Sequence, residues 1–379
     1  MERIYLDHAA TTPLDNQILE EMLPYFTECF GNANSHHAAG RKAMAAVDNA
    51  RDSLAELLGA KPNEIYFTSG GTEADNWAML GGAYAQREKG KTHILLSAIE
   101  HHAVLGAAER LAKEGFCVEY LPVNGQGVVE AESLKNALKE DTALVAVMLA
   151  NNETGSLQDI KTLAELAHAN GSLFFSDCVQ AAPYMPLDVK SLGVDMLSIS
   201  AHKFFGPKGV GALYIKSGVK VLPHALGGEQ ERGLRGGTVN VPAVVGLAAA
   251  YKKNAATMYE TNAKITACRE LFLKEILPLG GVYINGGSKE IPSIVNLCFE
   301  GLSNVDILYK LDLKGVCAAA GSACASSSVR PSHVLLAMGM TEAQAKNSVR
   351  FSFGKGNSEE EVWRAAAILK EIVEELRGK

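Results

Sequence analysis

Seven short apolar runs recur along residues 16–250, at 64–67, 93–96, 118–121, 144–148, 173–176, 194–199 and 210–215. Stretches of helical periodicity lie among them, at 18–30, 41–58, 74–88 and 104–113. Apolar residues at helical spacing fit one face of a helix, whereas a short continuous apolar run fits a strand buried on both faces. Strands of that kind, separated by helices, build a largely parallel sheet with helices packed over it. The expectation is therefore an α/β fold, with a large domain over residues 16–250 around a mainly parallel seven-stranded sheet.

Past residue 241 the pattern changes. A helical stretch from 243 to beyond 259 reads as a connector. A strand-like run at 293–299 and helix-like segments at 305–313, 332–338 and 359–375 follow. Val362, Ala366, Leu369 and Val373 mark one apolar face of the last of these. A smaller α+β C-terminal domain is expected, made of residues 1–15 and 251–379. The 379 residues are 47% hydrophobic, which is enough for more than one core. A formal charge of −7 argues against a surface that coats nucleic acid. No apolar run is long enough to cross a bilayer, and Met1-Glu2-Arg3-Ile4-Tyr5-Leu6-Asp7 lacks the layout of a signal peptide. A cytoplasmic protein with neither a membrane nor a direct nucleic-acid partner is expected. The seven cysteines are odd in number, widely spaced and free of any CxxC pair, which disfavours both a disulfide framework and a zinc site.

Four polar segments stand where an apolar run ends, and in an open α/β sheet that edge binds ligands. Thr68-Ser69-Gly70-Gly71-Thr72-Glu73-Ala74 combines small residues with the start of a helix, whose amides and dipole favour a phosphate. An ordinary turn with a threonine cap reads the same way. In Glu100-His101-His102 the flat imidazole of His101 can stack on a pyridine ring and move protons near neutral pH. His102 and His37 read as structural or surface residues. In Asp177-Cys178-Val179-Gln180 the aspartate could pair with a protonated pyridine nitrogen, and Gln180 could bond a ring oxygen. Taken alone, that segment reads better as a helix cap. Finally, Ser198-Ile199-Ser200-Ala201-His202-Lys203 is followed by a glycine-rich turn, 204–211. A lysine enclosed between two apolar runs is placed to form a Schiff base with an aldehyde cofactor such as pyridoxal 5'-phosphate (PLP), with Ser200 and His202 as phosphate donors. Each segment alone is commonplace; the four together, in this order, are demanding.

Further motifs are Tyr5-Leu6-Asp7-His8-Ala9-Ala10-Thr11-Thr12-Pro13, Gly31-Asn32, Asn151-Asn152-Glu153-Thr154-Gly155 and the glycine-rich segment 227–238. Gly321-Ser322-Ala323-Cys324 and Ser348-Val349-Arg350-Phe351-Ser352 stand near the end. With these the chain resembles, over nearly its whole length, the cysteine desulfurases of the class V aminotransferase superfamily, PLP enzymes of fold type I. The resemblance implies that Lys203 holds PLP as a Schiff base and that His101 stacks on its ring. It places Asp177 at the pyridine nitrogen, Gln180 at the ring hydroxyl, and Asn152 near the same oxygen and the substrate carboxylate. Gly71, Thr72, Ser200 and His202 would form the phosphate site, joined by Thr238 from the second subunit of a homodimer. Arg350 would clamp the carboxylate of L-cysteine with its bidentate fork.

Cys324 would be the nucleophile. It stands among small and polar residues, Ala318 to Ser328, a setting that no other cysteine of the chain shares and that suits a mobile, exposed thiol. The resemblance implies a mobile loop at about 320–332, of the long-loop group. After proton loss at the α-carbon, the Cys324 thiolate would attack the substrate sulfur, leaving a persulfide and releasing alanine. Lys203 would shuttle the α-proton, and His101 would handle protons near the thiol. The persulfide would pass to a sulfur-acceptor protein, such as an iron–sulfur scaffold or a tRNA-thiolation enzyme. Two departures stand out: Ala33-Asn34 where the family usually has proline after Gly31-Asn32, and Cys178 after Asp177. Alternative readings are a selenocysteine lyase, a related class V aminotransferase that would not need Cys324, or an assembly partner that has lost its chemistry.

Overall fold

The computed structural model describes residues 3–287, 289–321 and 331–378. A short strand, β1 (Ile4–Tyr5), comes first. Seven strands follow: β2 (Ile65–Thr68), β3 (His93–Ser97), β4 (Cys117–Leu121), β5 (Thr142–Ala146), β6 (Leu173–Asp177), β7 (Met196–Ser200) and β8 (Gly211–Ile215). They form one sheet in the order β2-β8-β7-β6-β5-β3-β4. All neighbours are parallel except β8, which runs antiparallel to both β7 and β2. This is the mainly parallel seven-stranded sheet expected from the apolar runs. The turn 201–210 that joins β7 to β8 is too short for a crossover helix, so the chain returns antiparallel. β2 is thereby parallel to β7, and the carboxyl ends of β2, β3, β5, β6 and β7 share one edge.

Successive strand residues feed opposite faces of this sheet. Leu96, Ala146 and Phe175 pack with Trp77, Ala78 and Val104 of the helices Gly71–Arg87 and His102–Lys113. Leu95, Val145 and Phe174 pack on the other face with Leu54, Leu163 and Leu247, from the helices Ala38–Leu58, Ile160–Ala169 and Val241–Ile276.

The last of these helices runs unbroken through residue 250 and carries the chain to a second sheet. Strands β9 (Val282–Asn285), β10 (Ile294–Phe299), β11 (Val316–Cys317) and β12 (Ser348–Ser352) follow it. β9 and β12 flank β10 antiparallel, and β1 pairs with β11 in parallel. Phe272, Phe299, Phe351, Phe353 and the expected face of the helix Glu359–Leu376 (Val362, Ala366, Leu369, Val373) form their core. From β1 the N-terminal segment runs between the two sheets. Leu6 N donates to Cys317 O at 2.9 Å and Ser352 N to Leu6 O at 2.7 Å, then Thr12 N reaches His202 O at 3.0 Å.

The helical pattern at 18–30 proves to be two helices, Asn16–Met22 and Pro24–Thr27. Proline lacks the amide proton that would continue the first, and it starts the second at its first position. Cys324 and the greater part of the expected loop lie outside the described residues. No described helix is long and apolar enough to cross a membrane.

Candidate active site

The shared strand edge gathers the polar segments. β2 ends at Thr68, and the helix Gly71–Arg87 starts two residues later with Gly70, which has no side chain, at its N-cap. Its first amides are thus left for an outside acceptor. Gly71 has little room for anything larger: a Cβ there would lie 2.9 Å from Val179 Cγ2 and 3.5 Å from Ser200 Cβ. β6 ends on Asp177, which stands in register with Ser198 of β7, and β7 runs into the single helical turn Ala201–Lys203. β3 is followed by Glu100 and by His101, the N-cap of the helix His102–Lys113.

A cavity of about 730 Å³, counted out to its open mouth, collects these side chains. Gly71, Thr72, Ser200 and His202 line it, with His101, Asp177, Gln180 and Lys203 and with Asn152 and Arg350. Thr72, Ser200 and His202 also border an open hollow of about 670 Å³ that continues to Thr11, Gly70 and Lys208. Thr238 takes no part in either. It is exposed, on a segment fastened to its own chain by a buried Arg51–Glu231 pair (2.8 Å) and an Arg235–Glu73 pair (2.8 Å).

The charges in this cavity are unevenly shared. Asp177 is buried, and the one hydrogen bond its carboxylate accepts among the described residues comes from the Val179 amide at 2.8 Å. Close by, Asp75 is buried and accepts a 2.5 Å bond from the Ser198 hydroxyl. Burial raises both carboxyls above their usual range, and for Asp75 the charge of Asp177 adds to the effect. Glu100 is pushed up to about 8 by burial, against bonds from Ser97 Oγ and Met148 N. Of the three, Asp75 and Asp177 line the cavity, and a cation there would favour their charged forms.

The two histidines are held neutral. Burial, then the Lys203 charge, lowers His101 to about 4, and the same causes, with Lys208 added, lower His202 to about 4. Ala103 N donates to His101 Nδ1 at 3.2 Å, so the ring carries its proton on Nε2.

The N-terminal segment supplies contacts that side-chain chemistry did not reveal. Lys203 Nζ donates to Ala9 O at 2.5 Å and to Ala10 O at 3.0 Å, and Gln180 Nε2 donates to Ala9 O at 2.8 Å. Arg350, only 1% exposed, sends Nη1 to Asn152 O and Nη2 to Asp7 Oδ1, each at 2.8 Å. Its Nε is buried with no partner among the described residues, a donor that suits an incoming carboxylate. Asp7, Asp75 and the Ala9–Ala10 carbonyls are therefore site groups that the sequence reading missed. Asp75 carried a signal, an acid at helical spacing from the apolar Ala78 and Met79, while Asp7, Ala9 and Ala10 stood within a motif that gave them no individual role.

The residues present fit PLP. An uncapped helix N-terminus beside the Thr72 and Ser200 hydroxyls suits a phosphate. Asp177, buried with a single amide donor, suits a protonated pyridine nitrogen, and an amine, Lys203, stands in the same cavity.

A family model described as aminotransferase class-V matches residues 4–364. The chain is 46% identical over 376 residues to a cysteine desulfurase of Methanosarcina thermophila, covering 99% of this chain and 93% of that one. A solved structure titled a NifS-like protein superposes with a TM-score of 0.93 at 37% identity, covering 99% of this chain and all of that one. Another, SspA in complex with cysteine, does so with a TM-score of 0.83 at 34% identity, over 94% of this chain and all of that one.

Proposed function

The chain belongs to the class-V aminotransferase family and, within it, to the cysteine desulfurases, and from that premise we propose how its own residues carry out the reaction. The observation that carries the reading is that one cavity joins Lys203, Asp177 and Arg350. That combination supplies an amine for an aldehyde, an acid for a pyridine nitrogen and a fork for a carboxylate. PLP, when bound, draws electrons from the substrate α-carbon and so loosens its proton and, in turn, the β-carbon–sulfur bond.

Lys203, whose amine rests on the Ala9 and Ala10 carbonyls, would be the residue that holds the cofactor. The same amine would serve as the base at the substrate α-carbon. Asp177 would keep the pyridine nitrogen protonated, with Asp75 lining the same cavity. Gln180 reaches the ring hydroxyl, and the helix N-terminus at Gly71 with Thr72, Ser200 and His202 binds the phosphate. Arg350, steadied by Asp7 and by Asn152 O, holds the substrate carboxylate. His101, neutral with its proton on Nε2, would cover the ring and can donate a proton but not accept one at that atom.

The Cys324 thiolate attacks the substrate sulfur. A sulfur–sulfur bond forms and the β-carbon–sulfur bond breaks. The electron pair stays with carbon, which takes a proton and leaves as alanine. The persulfide then passes to an acceptor protein. A homodimer completes the phosphate site with Thr238 of a second copy. Exposed Thr238 on an anchored segment, and the open hollow beside His202, support that arrangement. The division into residues 16–250 and residues 1–15 with 251–379, and a cytoplasmic location, remain parts of the same proposal. Turnover of L-cysteine by cofactor-loaded protein tests it. Lys203→Ala should release no alanine, and undiminished turnover by that variant would refute the assignment.

A further inference from the structure

Glu153 is a buried carboxylate, 2% exposed, that the proposed reaction does not use. It follows Asn152, whose carbonyl accepts from Arg350 Nη1. Its main chain is fixed on both sides: Glu153 N donates to Asn151 Oδ1 at 2.9 Å, and Asn296 Nδ2 donates to Glu153 O at 3.1 Å. The side chain turns away from these toward two residues that are distant in sequence. Ser332 Oγ donates to Glu153 Oε2 at 2.5 Å. Gly321 packs so closely that a Cβ there would lie 3.1 Å from the same oxygen. Those two residues flank the segment that bears Cys324.

Other contacts fasten the same two places. On the N-terminal side, Ala319 and Arg350 exchange backbone bonds, Arg350 N to Ala319 O at 2.6 Å and Ala319 N to Arg350 O at 3.2 Å. On the C-terminal side, Ser332 also caps the helix His333–Ala337 by accepting from Leu335 N at 3.2 Å. His333 Nε2 reaches the carbonyl of Glu100, next to His101, at 3.0 Å. Among these contacts the Glu153 carboxylate bonds the C-terminal flank at Ser332 and lies close beside the N-terminal flank at Gly321. A buried carboxyl group that accepts a hydroxyl bond fixes distances better than an apolar contact, because the alternative is a buried polar group left unsatisfied.

We propose that Glu153 is a positioning residue for sulfur transfer, tying Ser332 to the Asn152–Arg350 wall of the cavity and packing beside Gly321, so that both sides of the Cys324 segment are set against that wall. The inference rests on Cys324 being the nucleophile. Its consequence is specific to the second half of the reaction: substrate capture needs Arg350, Lys203 and the cofactor, whereas persulfide formation needs the thiol brought to the substrate sulfur. Loss of Glu153 should lower kcat and leave KM alone.

The test uses the cofactor-loaded full chain and the variants Glu153→Ala, Glu153→Gln, Ser332→Ala and Ser332→Thr. The measurements are kcat and KM for L-cysteine, the change in cofactor absorbance on mixing with L-cysteine, and the melting temperature. Glu153→Ala and Ser332→Ala should each lower kcat about tenfold, the scale of one buried hydrogen bond, with KM and the absorbance change preserved. Glu153→Gln, whose amide oxygen still accepts from Ser332, and Ser332→Thr, which keeps the hydroxyl, should stay near wild type. If Glu153→Ala keeps the wild-type kcat, or if the absorbance change is lost along with kcat, the positioning role is wrong. Cys324→Ala separates the two claims. If it is inactive while Glu153→Ala is unaffected, only the positioning role fails. If Cys324→Ala turns over normally, the nucleophile assignment fails and the positioning role falls with it.

Discussion

Replacing Arg350 by lysine keeps one positive charge and removes the fork. In the structure the two Nη atoms hold Asn152 O and Asp7 Oδ1 at 2.8 Å each, while Nε is the donor left over. An ammonium group on a flexible stem cannot serve both partners and a third acceptor in fixed directions. A hydrogen bond to a charged group contributes about 1.5–3 kcal/mol, so losing the carboxylate contact together with its alignment should cost about 3 kcal/mol. That corresponds to a roughly hundredfold fall in kcat/KM for L-cysteine. The assay is alanine formation over a range of L-cysteine concentrations, run beside the cofactor absorbance change with L-cysteine and with cysteamine, which lacks the carboxylate. Arg350→Lys should weaken the response to L-cysteine and leave that to cysteamine nearly unchanged, so that discrimination between the two collapses. An equal loss for both ligands would mean that Arg350 only scaffolds the Asp7 segment. No loss for L-cysteine would refute the carboxylate role outright.

Other consequences can be measured on the same protein. The Glu100 carboxyl is raised in the folded chain to about 8 from the usual 4.5, so its stabilising contribution is complete below the unfolded value and is lost as pH rises through the folded one. Glu100→Gln keeps an acceptor for Ser97 and Met148, so its melting temperature should gain on wild type steadily across that window; a constant offset would contradict the assignment. Gly71→Ala forces a methyl group against Val179, an overpacking cost of about 1–3 kcal/mol. It should lower the melting temperature and weaken PLP retention on dialysis, and an unchanged melting temperature would contradict the close packing. Alkylation of the native chain should modify exposed Cys117 and spare Cys178, whose thiol burial raises and shields from reagent. Equal labelling of the two would contradict the burial of Cys178.

How much of this could be read from the sequence depended on whether a residue acts through its side chain or its backbone. The strands of the large sheet were legible because both of their faces are buried, and so were the lysine, aspartate and histidine at their ends. Ala9 and Ala10 act through carbonyls, which every residue carries, so nothing in their identity announces the bonds to Lys203. Asp7 and Arg350 are chemically conspicuous, but they are separated by 343 positions, and only the folded chain brings them together. Helices as short as Val189–Leu192 and Glu342–Lys346 span too few residues for an apolar period to show. The pattern at 18–30 did show one, and Pro24 broke it, which makes a proline inside a periodic stretch the more reliable mark of a boundary.

The central claim is that the sulfur leaves L-cysteine for Cys324. A single turnover of cofactor-loaded protein with L-cysteine and no reductant, with alanine quantified and the extra sulfur located by peptide mass, tests it most directly. Alanine and persulfide should appear in equal amounts, with the sulfur on Cys324, and Cys324→Ala should give neither while still showing the cofactor absorbance. Alanine formed at the wild-type rate by that variant, or an extra sulfur found on another cysteine, would contradict the account.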